Sequence, residues 1–348
     1  MSRRAGGLRR RLGRALPPVR RRDARIRTLE GLLRQEQQHP EQAEHRAKTA
    51  GGTAHRGRAS WQVKVRTTRR LYRQVAQLEG GDRLPQWRLP HKLDSYRLAA
   101  GHGVRVPRVY AVWRTLEDVD LADLPEIFVL KSDGGASAVG VFPVRRVPGG
   151  YEQVDGGRSY PGESLLAELA HQAGLGRARA PYFAEELLQD STGSALPHDV
   201  KAYCFYGEVG QVLVRDMPVH GDINSARRRF VTAEGGDLSA MIVGKHDPTV
   251  PLPPNFARLV TTAARLSLVV PLPFVRVDLY DTTAGIVMGE FTLVPGGGEQ
   301  YRPEHDTHLG TLYEQAEVRL WRDLHAGRPY DFVRGDHDDD VIPPPIGS

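Results

Sequence analysis

FVRVDLYDTTAGIVMGEFTLVPGGG, residues 274–298, is the stretch from which the rest of the chain can be read. It has the form of a β-hairpin, two mostly apolar runs around DTTAG at 281–285. Side chains alternate faces along a strand, so parity sorts them. The odd positions Val275, Val277, Leu279, Val287, Phe291 and Leu293, together with Gly289, predict one continuous buried face. The even positions Arg276, Asp278, Glu290 and Thr292 then share the opposite face. A register pairing 276 with 290 and 278 with 288 keeps the apolar set together, whereas a slip of one residue splits it. Two carboxylates, an arginine and a hydroxyl therefore gather on one patch. That patch has two readings. One is an Arg276–Glu290 ion pair with Asp278 solvated. The other is a site for a hard cation that shares ligands with phosphate oxygens, with an arginine fork beside it.

Upstream segments bear on that choice. EIFVLK (126–131) reads as an apolar strand ending in Lys131, and SDGGASAVG behind it is a glycine-rich loop. A lysine there suits phosphate oxygens, and the loop backbone suits a lid; an ordinary mobile hairpin loop is the other reading. It is not a Walker A loop, because no Gly-Lys-Ser/Thr opens a helix. YFAEELL ends a strand in Glu185 and Glu186, and the backbone of Leu187 and Leu188 follows as a possible reader of an adenine edge. Asp199 and Lys201 share a strand face, the former suited to ribose hydroxyls. His198 and His305 lie beside these segments and read as incidental, and Cys204 reads as core packing.

Composition bounds the class. The 348 residues carry a formal charge of +6, unevenly spread. Residues 1–25 hold ten arginines against one aspartate, a net +9, which leaves −3 for the remainder. The basicity belongs to an arm with almost no apolar period, expected to lack fixed structure. No apolar core follows the arginines, so a secretory signal is not expected. The longest uncharged apolar run, LSLVVPLPFV (266–275), has ten residues. A membrane span needs roughly 20, so none is expected, and a cytoplasmic protein is. A single cysteine excludes an internal disulfide and a cysteine-based zinc cluster.

Periodicity predicts a short helix over 23–38, a linker over 51–60, and a second helix with Trp61, Val65, Leu71, Val75 and Leu78 on one side. HKLDSYRLAAGHG reads as a helix stopped at Gly101 and Gly103, VRVPRVYAV as a strand and VFPVRRV as the returning strand. GESLLAELAHQAG reads as a helix, and DVKAYCFYG and QVLVRDM as strands. NFARLVTTAARLSLVV reads as a helix capped by Asn255, TLYEQAEVRLWRDLH as a closing helix, and the acidic tail as frayed. Mixed antiparallel strands and helices in this order predict an α+β architecture.

Together and in this order, the segments from Pro90 to Leu324 resemble the ATP-grasp superfamily. The pattern R-x-D…G-E-x-T-x-x-P-G over Arg276–Gly296 carries most of the likeness. EELLQDSTGSALPHDVKAYCFYG and PGGGEQYRPEHDTHLG are similar to its TupA-like branch, named for teichuronopeptide biosynthesis. The resemblance implies two α+β lobes holding ATP between antiparallel sheets. The chain then divides into an arm (1–25), a basic helical extension (26–84), a pre-ATP-grasp region (85–125), a small lobe with the glycine-rich lid (126–188), a large lobe with the metal site (189–332) and an acidic tail (333–348).

By the same resemblance Lys131 would hold the α- and β-phosphates, under a lid that includes Gly134, Gly135 and Ser137. Glu185, Glu186, Leu187 and Leu188 would hold adenine, and Asp199 the ribose. Lys201 and Arg276 would face the transferring group, and Asp278, Glu290 and Thr292 would hold one or two Mg²⁺ ions. Thr292 stands where the superfamily usually has asparagine, as the TupA-like branch tends to show. The implied activity is carboxylate–amine ligation through an acyl phosphate, with ATP going to ADP and phosphate, in cell-surface polymer or natural-product biosynthesis. Its partners are small-molecule or peptide carboxylates and amines, and a homodimer is the default assembly. Two alternatives stay open: an ATP-grasp phosphotransferase (kinase), and a binding protein tethered to nucleic acid, an anionic polymer or a membrane through residues 1–25.

Overall fold

The computed structural model describes residues 27, 30–31, 58–78, 88–135, 138–222, 224–296, 300–328 and 342–347. The arginine arm, most of the expected helix over 23–38, residues 51–57 of the linker, Ser137, Gly297 and Gly298 lie outside the described residues. The described chain runs α1 (Trp61–Val75), α2 (Lys92–Gly101), β1 (Val109–Trp113), β2 (Ile127–Gly134), β3 (Val141–Val147), β4 (Gly150–Gln153), β5 (Ser159–Pro161), α3 (Ser164–Gly174) and β6 (Arg179–Glu185). It continues through β7 (Asp199–Phe205), β8 (Glu208–Asp216), β9 (Arg227–Val231), β10 (Ile242–Val243), α4 (Phe256–Ser267), β11 (Val275–Thr282), β12 (Gly285–Thr292), β13 (Gln300–Tyr301) and α5 (Pro303–His325).

Two antiparallel sheets organise these elements, as the α+β reading expects. One has the order β1-β6-β2-β3-β4-β5, the other β12-β11-β7-β8-β9, and β10 pairs with β13. Each sheet has its own apolar cluster. Phe128, Leu130, Phe142, Val144, Leu165 and Leu169 pack α3 onto the six-stranded sheet. A larger cluster, with Phe205, Val212, Leu259, Leu266, Val275, Val277 and Phe291, packs α4 and α5 onto the five-stranded one. Burial of such side chains, each worth about 1.5–3 kcal/mol, is the main term holding each half together.

Helix α1 joins the second cluster. Ser60 caps it, its Oγ accepting from Val63 N at 3.3 Å. Trp61, 3 % exposed, lies edge-on to Phe274 at 4.6 Å and to Phe205 at 5.4 Å between centroids. Its inward side runs Trp61, Val65, Thr68 and Tyr72, whereas Leu71 and Leu78, expected on that side, are 49 % and 65 % exposed. Helical rotation explains the correction: positions 61, 65, 68 and 72 stack at three- and four-residue steps, and 71 and 78 fall off that row.

The opening hairpin shows a second correction. Its pairs are Arg276 with Thr292, Val277 with Phe291 and Asp278 with Glu290, two residues away from the expected register. A bulge at Gly289 follows, so that Leu279 pairs with Met288 and Tyr280 with Val287. Met288 thereby joins the core, and Val287 moves to the Tyr280 side, where residue 105 bridges it. Glycine is favoured at the bulge, because a Cβ there would crowd the Tyr280 ring at 3.0 Å and the Asp278 carbonyl oxygen at 3.1 Å.

Element ends also shift. Helix α5 starts eight residues before the expected 311, at Pro303, with Glu304 and Asp306 in its first turn. Asn255 sits at the N-cap of α4 but spends its side chain on Asp281, at 3.0 Å from Nδ2 to Oδ1. β1 is shorter than expected, and β4, β5 and β9 are strands that periodicity did not disclose. The end of the tail is seated rather than frayed: Ile346 N donates to Val112 O at 2.7 Å, and Arg114 N to Ile346 O at 3.0 Å. Ile342 is buried.

Candidate functional site

Strand pairing assembles one charged face on the five-stranded sheet. Asp278 is the cross-strand partner of Lys201 on β7 and of Glu290 on β12, so three charges form a row across three strands. Asp199, two residues before Lys201, lies opposite Arg215 on β8. Arg276 grips Asp278 with a fork, Nε to Oδ1 at 2.7 Å and Nη2 to Oδ2 at 2.6 Å, and Nη2 also donates to Thr292 Oγ1 at 2.8 Å. Lys201 Nζ stands 2.5 Å from Asp278 Oδ2 and 2.7 Å from Asp199 Oδ2, and Arg215 Nη2 donates to the same Asp199 oxygen at 2.6 Å. Burial disfavours the Arg276 guanidinium, but the adjoining Asp278 carboxylate more than offsets this and holds its pKa above the usual range. Burial likewise pushes the Asp199 carboxyl up, and Lys201 and Arg215 outweigh it to hold that group well below the usual carboxylate range. Asp199 Oδ1 is buried and accepts no hydrogen bond from the described residues.

The six-stranded sheet contributes a simpler arrangement. Lys131 on β2 and Glu185 on β6 are diagonal neighbours, and Lys131 Nζ donates to Glu185 Oε1. The Tyr96 hydroxyl of α2 donates to Glu185 Oε2 at 2.8 Å. Burial, and then the Glu185 charge, push the Tyr96 phenol pKa well up, which keeps it a donor. Glu186 points elsewhere: its Oε1 accepts from Arg108 N at 2.9 Å, and its own N donates to Arg108 O. Leu187 is half-buried and Leu188 buried. Gly134 ends β2 and Gly135 follows it. The roots of the glycine-rich loop are tied, with Ser132 N donating to Gly140 O at 2.7 Å and Gly140 N to Gln172 Oε1 at 2.6 Å.

Helix α2 brings the two faces together. Asp133, just past Lys131, caps its first turn, accepting from Leu93 N at 2.9 Å and meeting His91 Nδ1 at 3.0 Å. On the other side, Phe291 N of β12 donates to Ser95 Oγ at 3.1 Å, and Lys92 Nζ lies 3.9 Å from Glu290 Oε2. The Tyr280 phenol is pushed up by burial and then by Asp199, Glu290, Asp278 and Glu185, so it sits among the carboxylates of both sheets. His220, from the loop after β8, reaches β3, with Nε2 2.8 Å from Val141 O.

Sequence reasoning named every charged member of the hairpin but missed Lys92, Tyr96, Arg215 and Tyr280. For the first two a signal existed: in HKLDSYRLAAGHG they are four residues apart, on one helix face. His198 is bound to Asp190 at 3.1 Å and His305 to Gln211 at 2.8 Å, which accounts for both as structural histidines. Cys204 is a free, buried thiol in the core.

A divalent ion is implied by the resemblance. Among the described residues no group of three or more His, Cys, Asp and Glu side chains is placed to hold a metal. Asp278 and Glu290 nevertheless face each other directly, with the Thr292 hydroxyl two pairs along, on the same face. Such a hard-oxygen set fits Mg²⁺ shared with substrate phosphates, the usual arrangement for that ion, and not a protein-only cage.

The TupA-like ATP-grasp model matches residues 70–314, well over half the chain. The chain belongs to the TupA-like ATP-grasp family. The TupA-like chain is by that membership an ATP-grasp ligase, and its antiparallel sheets with packed helices are those of the α+β ATP-grasp fold. No curated protein sequence matches it. Solved structures of similar fold include D-alanine–D-alanine ligase from Bacillus anthracis complexed with ATP, 12% identical, with a TM-score of 0.42 over 69% of this chain and 70% of that one. Another is the ATP-grasp ligase PsnB complexed with minimal precursor, 15% identical, with a TM-score of 0.37 over 67% of this chain and 61% of that one. D-cycloserine synthetase DcsG is 19% identical, with a TM-score of 0.38 over 72% and 80%. At these values the likenesses carry no argument about chemistry. Among the described residues no helix is long and apolar enough to cross a membrane.

Proposed function

We propose that this TupA-like protein is an ATP-dependent carboxylate–amine ligase that works through an acyl phosphate. The observation that carries the reading is the pair of charged faces, Lys131 with Glu185 and Arg276 with Lys201, Asp278 and Glu290, joined by α2. A carboxylate and an amine do not condense unaided in water, because oxide is a poor leaving group. Phosphorylating the carboxylate supplies a better one, and the enzyme's part is positioning and charge neutralisation.

In this reading Lys131 binds the α- and β-phosphates once Glu185 yields its ammonium to them. Asp199, through its unpartnered Oδ1, takes a ribose hydroxyl. Arg276 and Lys201 neutralise charge on the transferring phosphoryl and on the oxyanion formed when the amine attacks. The loop from Gly134 to Gly140, pinned at its roots, closes over the phosphates and keeps water from the acyl phosphate. Asp278, Glu290 and Thr292 would hold Mg²⁺, which would supply positive charge to neutralise the phosphate oxygens. We assign the lobes to 126–188 and 189–332, after a pre-ATP-grasp region at 85–125, and assign the products to surface-polymer or natural-product assembly.

Release of ADP from ATP, measured with panels of amino acids and uronic acids, tests the reading. A ligase requires both a carboxylate and an amine for full rate. Full rate with one hydroxyl substrate alone would establish a kinase instead.

A further inference from the structure

From Trp61 to Leu78 the chain holds five cations, Lys64, Arg66, Arg69, Arg70 and Arg73, and no carboxylate. The inward row of α1, with Trp61, Val65, Thr68 and Tyr72, is spent on the core and on α5. Two of the cations are engaged as well. Lys64 Nζ lies 3.4 Å from Glu314 Oε1 and 3.2 Å from Glu317 Oε2, and Arg69 Nη2 donates to Pro295 O at 2.7 Å. Arg66, Arg70 and Arg73 are exposed, and among the described residues none of them has an ion pair or a side-chain hydrogen bond. Spaced at three and four residues, they share one outward arc and repel one another, which costs helix stability. Val63 lies on the same arc, and Leu71 and Leu78 flank it. Val63 and Leu71 are about half exposed, and Leu78 more so. A mixed arc of arginines and aliphatic side chains suits a boundary at which phosphate overlies hydrocarbon.

We propose that the outward side of α1 docks the protein onto an anionic lipid bilayer. Arg66, Arg70 and Arg73 donate to headgroup phosphates, which relieves their mutual repulsion, and Val63, Leu71 and Leu78 enter the acyl boundary. A nucleic acid offers the same phosphates but no hydrocarbon for those three side chains, so the bilayer is the occupant that accounts for both halves of the arc. The charge upstream has the same sign, with ten arginines against one aspartate in residues 1–25. Two basic attachments on one chain add their strengths at a single surface. The bond from Arg69 to Pro295 fastens the docked helix to the chain just past β12, the strand that carries Glu290 and Thr292. The docking does not depend on the ligase reading. Where both hold, ligation runs at a membrane surface.

The test floats the full-length protein with vesicles of phosphatidylcholine alone and of phosphatidylcholine mixed with phosphatidylglycerol. Binding is expected to the mixed vesicles only, and to weaken as salt is raised. Replacing Arg66→Gln, Arg70→Gln and Arg73→Gln together is expected to weaken it about 100-fold, from about fivefold per arginine. Leu71→Ser with Leu78→Ser is expected to weaken vesicle binding while leaving retention on duplex DNA unchanged. Both variants should keep the wild-type circular dichroism and rate of ADP release, because these side chains lie outside the candidate site. Should the arginine variant not fold, the leucine variant is read alone. Wild-type vesicle binding in either variant overturns the role of α1, and tighter binding to DNA than to the mixed vesicles overturns the bilayer. Neither result touches the ligase reading, which rests on ADP release.

Discussion

The two sheets handle buried charge differently. On the six-stranded sheet one lysine meets one carboxylate, and a single tyrosine hydroxyl holds that carboxylate from behind. On the five-stranded sheet Arg215, Asp199, Lys201, Asp278 and Arg276 alternate in sign across three strands, and Asp199 Oδ2 and Asp278 Oδ2 each answer to two donors. A lone pair separates at the expense of one contact, whereas a network keeps its members in place when one is withdrawn. In the proposed reading the difference divides the site: the six-stranded sheet offers a lysine that can change partners, and the five-stranded sheet offers a preset charged floor.

The severest trial of that contrast is Asp278→Asn. It removes the charge on which Arg276 and Lys201 converge, and ADP release is expected to fall on the order of 10²–10³-fold with the far-ultraviolet circular dichroism unchanged. Turnover near the wild-type rate would remove the hairpin from the mechanism.

Acid should next distinguish the two halves. Burial, and then His308, depress His305 from the usual histidine value to about 4. Its folded pKa lies below its unfolded one, so its contribution to stability is present above about 6.5 and is lost as pH falls towards 4. The expected loss is about 3 kcal/mol, read from urea melts at successive pH values, and His305→Gln should flatten it. An unchanged midpoint from pH 7 to 4 would refute the assignment.

Tyr96→Phe tests the six-stranded sheet. It leaves Glu185 Oε2 buried without its donor, at a cost of about 1–3 kcal/mol in stability. Because Lys131 then loses a fixed partner, ATP should bind several times more weakly, with kcat less affected than KM. Wild-type binding and stability would show that the hydroxyl does not govern Lys131. The mildest change is Thr292→Val, which takes one of three acceptors from Arg276 and should cost about 1 kcal/mol, because the Asp278 fork remains. A loss as large as that of Asp278→Asn would mean the network is no more robust than the pair.

Much of this was legible in the residues. The parity of Arg276, Asp278, Glu290 and Thr292 put them on one face before any fold was known, because a strand's alternation is local and strict. Lys131 ahead of a glycine-rich loop, and Asp199 two residues before Lys201, are statements of the same local kind. The ordered motifs were enough to place the chain with the ATP-grasp proteins, and the family match over 70–314 agrees.

Other features were settled only by packing. The bulge at Gly289 depends on how closely Tyr280 and the Asp278 carbonyl approach, which no strand records by itself. Glu185 and Glu186 are adjacent and chemically alike, yet one is buried against Lys131 and the other bonds to the backbone at residue 108. The buried setting of Lys92 and Tyr96 arises because α2 is wedged between two sheets whose strands lie far apart along the chain. Periodicity reports which way a side chain points from its own element. What it meets there is fixed by the free energy of packing the whole chain, and that is a property of no single segment.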